Sequence, residues 1–377
     1  MAISVKNVLY ISPNSYVGGA EKFIITACKE HDKNTHLKSA ILFFSEGPGP
    51  QLARSFNIKT VVLTKSFRLS KPIKYLRAAW ELRKIFKELR PDYIHLSMPY
   101  SVIACFIPMI GLKAKKIWFQ HGPVGGRLDR IASFIPLDAI FYNSNDTKKR
   151  HLESVPFSYS NIKHFVINLG VEIIESKDKK KNSKIFFSSV GRICKSKGQL
   201  LTLQAISKLK DIKGISDKIH LNIVGTANSP SDLKYLKELQ DFCHKNIIES
   251  LVTFLGHQDD MRSVYKSTDI LIHTPNIPEA FGLVIAEAMA NKILVIGPDL
   301  GGVRDILIHH KTGIVFPITQ NEDDIVHLSE LIMEIANNFS SENSIYQKYI
   351  NNAFDLITSK YSLKSMNTQL ENAYDQL

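Results

Sequence analysis

The chain has 377 residues, of which 44% are hydrophobic, and carries a formal net charge of +12 with pI near 9.3. That length exceeds what one core normally serves, so two domains are expected, and the charge calls for an anionic partner: nucleic acid, an anionic membrane surface or a phosphorylated substrate. The four cysteines, Cys28, Cys105, Cys194 and Cys243, are too scattered for a disulfide framework or a zinc knuckle.

The first dozen residues read as a strand and not as a secretory leader. The scattered cysteines fit a reduced, cytoplasmic compartment, and the longest apolar run, 102–112, falls short of the roughly 20 residues that cross a bilayer, so no membrane span is expected. Strands are predicted at 7–11, 39–44, 59–63, 93–97, 116–120, 139–143 and 164–168, with helical patterns filling most of the gaps. This alternation is the signature of a parallel sheet wrapped by helices.

The first strand runs into 13–21, where Gly18 and Gly19 permit close backbone approach to a ligand and Ala20 starts a helix. The third glycine of a dinucleotide fingerprint is missing, so a Rossmann dehydrogenase is not supported. Pro72 and Pro91 delimit a helix of about five turns whose stripe Tyr75, Ala78, Ala79, Leu82, Ile85, Phe86 and Leu89 is apolar. The segment 71–90 has seven basic and two acidic residues, supplying +5 of the +12. Two readings stand side by side here: a sheet-covering helix with a solvated outer face, or a surface that docks on an anionic membrane. Further on, Gln120-His121-Gly122-Pro123 puts His121 at the carboxyl end of a strand, and Gly125, Gly126 and Arg127 follow as a candidate mobile loop.

The segment 175–184 has no apolar residue and reads as a solvated linker. The expected domains are therefore 1–174, 185–342 and a helical segment 343–377. Beyond the linker the alternation restarts with strands at 184–190, 220–224, 251–254, 270–273, 293–296 and 313–316. The first of these leads into Gly191-Arg192-Ile193-Cys194-Lys195-Ser196-Lys197-Gly198, with a helix expected near Gly198. An arginine can bond two phosphate oxygens at once, a lysine adds a compact charge, and a helix N-terminus offers backbone donors, so this loop suits a diphosphate. After 269–273 comes Glu279-Ala280-Phe281-Gly282-Leu283, then Glu287, with a helix expected from near Gly282. The two carboxylates, with seven residues between them, only accept hydrogen bonds and would suit sugar hydroxyls. Gly301 to Asp305 reads as a turn into another helix. No Asp-x-Asp triplet occurs, so no metal-bridged diphosphate site and no cofactor are expected, and no helix-turn-helix, zinc or RNA-stacking signature speaks for nucleic acid.

Together these blocks resemble the family 4 retaining nucleotide-sugar glycosyltransferases of the GT-B fold, with their E-x7-E signature and G-R-x4-K-G segment. The resemblance implies an α/β architecture of two Rossmann-like, doubly wound domains facing across a cleft, the last helix returning to the first domain. It implies a UDP- or GDP-sugar donor and a glycan or lipid-linked glycan acceptor, the enzyme lying at the inner face of a membrane if the basic helix docks. It gives Arg192 and Lys197 the donor pyrophosphate, Glu279 the sugar hydroxyls, Glu287 the ribose, and Gly18 and Gly19 an approach to the diphosphate. His121 falls beside the transferred sugar. The pattern departs from the family's at Asp305, where Glu is usual, at Lys292, where Gly is common, and at Leu294, where Pro is common.

Overall fold

The computed structural model describes residues 5–33, 36–122, 124–155, 161–173, 184–319, 321–339 and 344–377. The linker predicted at 175–184 lies outside them except for Lys184. The chain forms two compact units, Met1–Gly170 with Leu363–Leu377, and Val171–Ser362.

The first unit holds β1 (Lys6–Ser12), β2 (Leu37–Phe43), β3 (Lys59–Val62), β4 (Tyr93–Ser97), β5 (Lys115–Gln120), β6 (Ala139–Tyr142) and β7 (Lys163–Val166). They pair in the order β3-β2-β1-β4-β5-β6-β7, with every pairing parallel. The second unit holds β8 (Ile185–Val190), β9 (Ile219–Val224), β10 (Val252–Gly256), β11 (Ile270–Ile272), β12 (Leu294–Gly297) and β13 (Ile314–Val315), in the order β10-β9-β8-β11-β12-β13. Central strands such as β4, β6, β11 and β12 are buried along their whole length, as continuous apolar runs must be when helices cover both faces. The core of each unit sits between its sheet and its helices, around Trp118, Ile94 and Leu82 in one and around Phe187, Leu221 and Ile332 in the other.

Both sheets reverse their strand order beside the first strand, between β1 and β4 and between β8 and β11. In open α/β sheets such a reversal opens a crevice at the carboxyl ends of the strands, and ligands bind there. The loops following β1, β8 and β11 carry most of the residues singled out in the sequence.

Two details differ from the sequence expectation. The turn after Gly301 makes only a short 3-10 helix, Gly302–Asp305. The terminal stretch divides: the helix Ile345–Lys360 packs into the second core, whereas Leu363–Asp375 joins the first unit. There the Tyr374 hydroxyl bonds His95 Nε2 at 2.8 Å and the Tyr10 hydroxyl at 3.2 Å, and its ring stacks on Tyr93 at 4.5 Å.

Candidate functional site

In the second unit, two neighbouring strands each send out a loop, and the loops are stitched together. After β8 the chain passes through Gly191 and the exposed Arg192, whose carbonyl accepts from buried Gln199 Nε2 at 3.0 Å. It then makes one 3-10 turn, Lys195–Lys197, which ends on Gly198 at φ +67° before the helix Gln199–Leu209 begins. After β11, Thr274 Oγ1 donates to the Gly198 carbonyl at 3.0 Å, while Asn276 donates from its backbone to Ser196 O (2.9 Å) and from its side chain to Lys195 O (2.8 Å). A Cβ on Gly198 would lie 1.9 Å from the Thr274 carbonyl oxygen. Left-handed backbone plus a backbone clash should cost about 3 kcal/mol. Gly198→Ala is therefore expected to lower the stability of the second unit by that order, read by urea unfolding in circular dichroism. A loss below about 1 kcal/mol would contradict the stitching.

The stitched loops bring the Lys197 ammonium onto Glu279 Oε1, which also meets His273 Nε2 at 3.1 Å. Burial pushes the Glu279 carboxyl up, but the hydrogen bond and charge of His273 and the charge and hydrogen bond of Lys197 outweigh it and hold the group well below the usual carboxylate range. Glu279 is thus an anion at neutral pH, fixed in place from two sides. Its backbone is held as well: Gly302 N donates to Glu279 O at 2.8 Å, and Gly301, at φ +67°, sits so close that a Cβ would meet that oxygen at 2.3 Å.

Beyond Glu279, Ala280 and the buried Phe281 lead to Gly282 at φ +90°, which opens the helix Leu283–Ala290. Only glycine takes that angle without strain. Glu287 lies in this helix half-buried, accepting from the Tyr265 hydroxyl at 2.6 Å. Burial, together with the charge of Glu287 and its hydrogen bond, raises the Tyr265 pKa well above its ordinary value, so Tyr265 remains a donor and orients the carboxylate.

The remaining predicted residues belong to the first unit. Gly18 caps the helix Gly19–Asp32, and its amide donates to Glu21 Oε2 at 3.1 Å. Buried Glu21 also accepts from Ser12 Oγ at 2.9 Å and Asn14 Nδ2 at 3.3 Å, which fixes the loop after β1. Nothing lies within 4 Å of where a Cβ on exposed Gly19 would point. His121 follows β5, stacked on Phe119 with 4.0 Å between ring centroids, its carbonyl accepting from Asn143 Nδ2 at 3.2 Å. Burial draws its pKa down to about 3, so the ring is neutral, and neither ring nitrogen has a partner among the described residues. Asp129 holds the following loop by accepting from Gln120 Nε2 at 3.0 Å and Gly126 N at 2.8 Å.

The structure therefore unites Lys197 and Glu279, sets Arg192 on the same loop as Lys197, and supports Glu287 separately. Sequence reasoning missed His273 and Tyr265. His273 had a signal, since it ends a predicted strand six residues before Glu279. Tyr265 had none, because 22 residues separate it from the carboxylate it serves. Among the described residues no group of three or more His, Cys, Asp or Glu side chains is arranged to hold a metal ion.

Residues 171–354 match the family Glycosyl transferases group 1, and residues 17–173 match Glycosyltransferase Family 4. An uncharacterized glycosyltransferase of Methanocaldococcus jannaschii is 28% identical over 188 residues, covering 49% of this chain and 43% of that protein. Over a longer span, the GalNAc-alpha-(1->4)-GalNAc-alpha-(1->3)-diNAcBac-PP-undecaprenol alpha-1,4-N-acetyl-D-galactosaminyltransferase of Campylobacter jejuni is 23% identical, covering 89% of each chain. The chain spans less than half the length of the first curated relatives it matches. Among solved structures, Alr3699/HepE of Anabaena in complex with UDP and glucose matches with a TM-score of 0.83 and 18% identity over 98% of this chain and 99% of that one. Two family matches that run consecutively along the chain, over two parallel α/β units, settle its kinship: the protein belongs to the group 1, family 4 glycosyltransferases of the GT-B fold.

Proposed function

We propose that the protein is a retaining glycosyltransferase that moves one sugar from a UDP- or GDP-sugar to a hydroxyl of a glycan or lipid-linked glycan, as in the assembly of bacterial surface polysaccharide or glycolipid. The observation that carries this reading is the fixed Lys197–Glu279–His273 contact on two stitched loops at the strand-order reversal, with Arg192 on the same loop. It is supported by the UDP and glucose of the Anabaena complex and by the undecaprenol-linked glycan in the name of the Campylobacter relative.

In this reading Arg192 and Lys197 bind the diphosphate, each charge-assisted bond contributing about 1.5 to 3 kcal/mol, and no metal or cofactor is needed to balance the leaving group. Glu279 accepts from sugar hydroxyls and Glu287 from the ribose, while the backbone of Ala280, Phe281, Gly282 and Leu283 lies along the donor at a helix N-terminus. The acceptor oxygen bonds to the anomeric carbon on the face from which the diphosphate departs. As the carbon–oxygen bond to phosphate breaks, a phosphate oxygen takes the hydroxyl proton, releasing the nucleoside diphosphate.

Thermal shift against a panel of UDP- and GDP-sugars, followed by hydrolysis of the best, tests the donor. A donor at 100 times its dissociation constant should stabilise the fold by about 2.7 kcal/mol. Release of nucleoside diphosphate should continue in chelator, and the product anomer should keep the donor's configuration. If no UDP- or GDP-sugar stabilises the protein and none is consumed, the reading fails; an inverted product removes retention alone.

A further inference from the structure

The helix Pro72–Leu89 is apolar on two opposite faces. The stripe expected to be apolar is used up inside the protein: Ala78, Ala79, Leu82, Ile85 and Phe86 are all buried. On the other side, Ile73, Leu76 and Trp80, spaced i, i+3, i+7, are 69%, 58% and 72% exposed. The neighbouring helix Met98–Met109 is tied to it by Tyr75 Oη donating to Ala104 O and Arg83 donating to the carbonyls of Pro108 and Ile110. Phe106, Ile107 and Ile110, at the end of that helix, are exposed in turn. Exposed cations flank the apolar residues: Lys74, Arg77 and Lys87.

A sheet-covering helix needs one apolar stripe, and a solvated outer face has no use for a tryptophan at this exposure. A bilayer interface calls for both features at once. Aromatic and aliphatic side chains enter the boundary between headgroups and acyl chains, and lysine and arginine meet anionic headgroups. Among the described residues no helix is long and apolar enough to cross a membrane, so attachment of this kind lies in the membrane plane.

We propose that Ile73, Leu76 and Trp80 form a wedge that inserts into the surface of an anionic lipid bilayer, oriented by the surrounding lysines and arginines. The inference deepens the lipid-linked acceptor reading, on which it rests for its biological purpose, but its physical content is independent of catalysis. It differs from electrostatic docking by the basic helix because partition of apolar side chains resists salt, whereas charge attraction is screened.

The reporter is built in. The chain has two tryptophans, and Trp118 is fully buried, so a change of emission on adding lipid is that of Trp80. With vesicles of phosphatidylcholine and phosphatidylglycerol, the full chain should co-sediment and its emission should shift to the blue, with a residue of binding surviving salt. Phosphatidylcholine alone should bind it weakly. Trp80→Ala and the pair Ile73→Ser with Leu76→Ser should each lower partitioning by about ten-fold or more while leaving donor-induced thermal stabilisation intact. Absence of both co-sedimentation and blue shift overturns the proposal, as does a blue shift that follows protein concentration without lipid and so reports pairing of two copies. Donor stabilisation, measured on the same preparation, separates the two readings. Vesicle binding with neither donor stabilisation nor donor consumption leaves the wedge standing and the transferase reading fallen.

Discussion

Lys197→Ala is expected to lower turnover by about 100- to 1000-fold at saturating donor while the protein stays folded, the range seen when one preorganised electrostatic partner of a transition state is removed. The expectation rests on the proposed reaction, in which negative charge gathers on the departing diphosphate. Lys197 sits on a 3-10 turn that Asn276 holds in place through backbone carbonyls, so its ammonium is positioned before any donor arrives. That positioning does not depend on the lysine side chain, so the turn should survive its loss. His273 remains against Glu279 in the variant, which limits the damage to the fold. Turnover and thermal midpoint measured together decide the point. Turnover within about three-fold of the parent would remove Lys197 from the reaction, whereas a collapsed midpoint would assign it to structure.

Acidification should weaken the first unit well before carboxylates are titrated. Burial draws His31 and His151 down to about 4 and His121 to about 3, and it holds His95 well below its ordinary value with help from neighbouring histidines. All four belong to the first unit. Their folded pKa values lie below the ordinary 6.5, so between pH 6.5 and 4 the unfolded chain binds protons that the folded chain refuses. Stability is complete above pH 6.5 and falls through that window by about 1.4 kcal/mol per pH unit for each such histidine. Both tryptophans, Trp80 and Trp118, lie in this unit, so urea unfolding followed by their fluorescence reads it selectively. A midpoint unchanged from pH 7 to pH 5 would show that these rings are not buried and neutral as described. His31 has no hydrogen-bond partner at either ring nitrogen among the described residues, so His31→Met should flatten the slope without breaking a bond.

The strands were open to sequence reading because buried parallel strands are short, continuous and β-branched. Each predicted run coincides with a strand to within about two residues at either end, the usual slack in such boundaries. Gly282 and Gly198 were likewise legible as helix starts, since their left-handed angles demand glycine. Lys292 explains one departure from the family pattern in physical terms. It adopts φ +54°, a conformation glycine reaches without strain, and its ammonium lies 4.7 Å from the centre of the Phe354 ring. The supporting residues were harder to see. Tyr265 and Asn276 act through contacts across the fold, and no spacing along the chain announces which carboxylate or carbonyl they will meet. The outer face of the helix Pro72–Leu89 was missed for another reason. A periodic apolar stripe identifies the face that packs, and a second, opposite one is read as noise until exposure is known.

The contacts of Tyr374 bear on the order in which this protein can be made. Tyr10 and Tyr374 touch across 364 positions of sequence, and His95 shares the same hydroxyl. On the ribosome, β1 and β4 emerge early with Tyr10 and His95 uncovered, and all of Val171–Ser362 is synthesised before the helix that shields them. Nascent domains generally mature in the order of their translation. Of the two units, the one that begins first is completed second, and its seam stays uncovered until Leu363–Asp375 has followed the whole of Val171–Ser362.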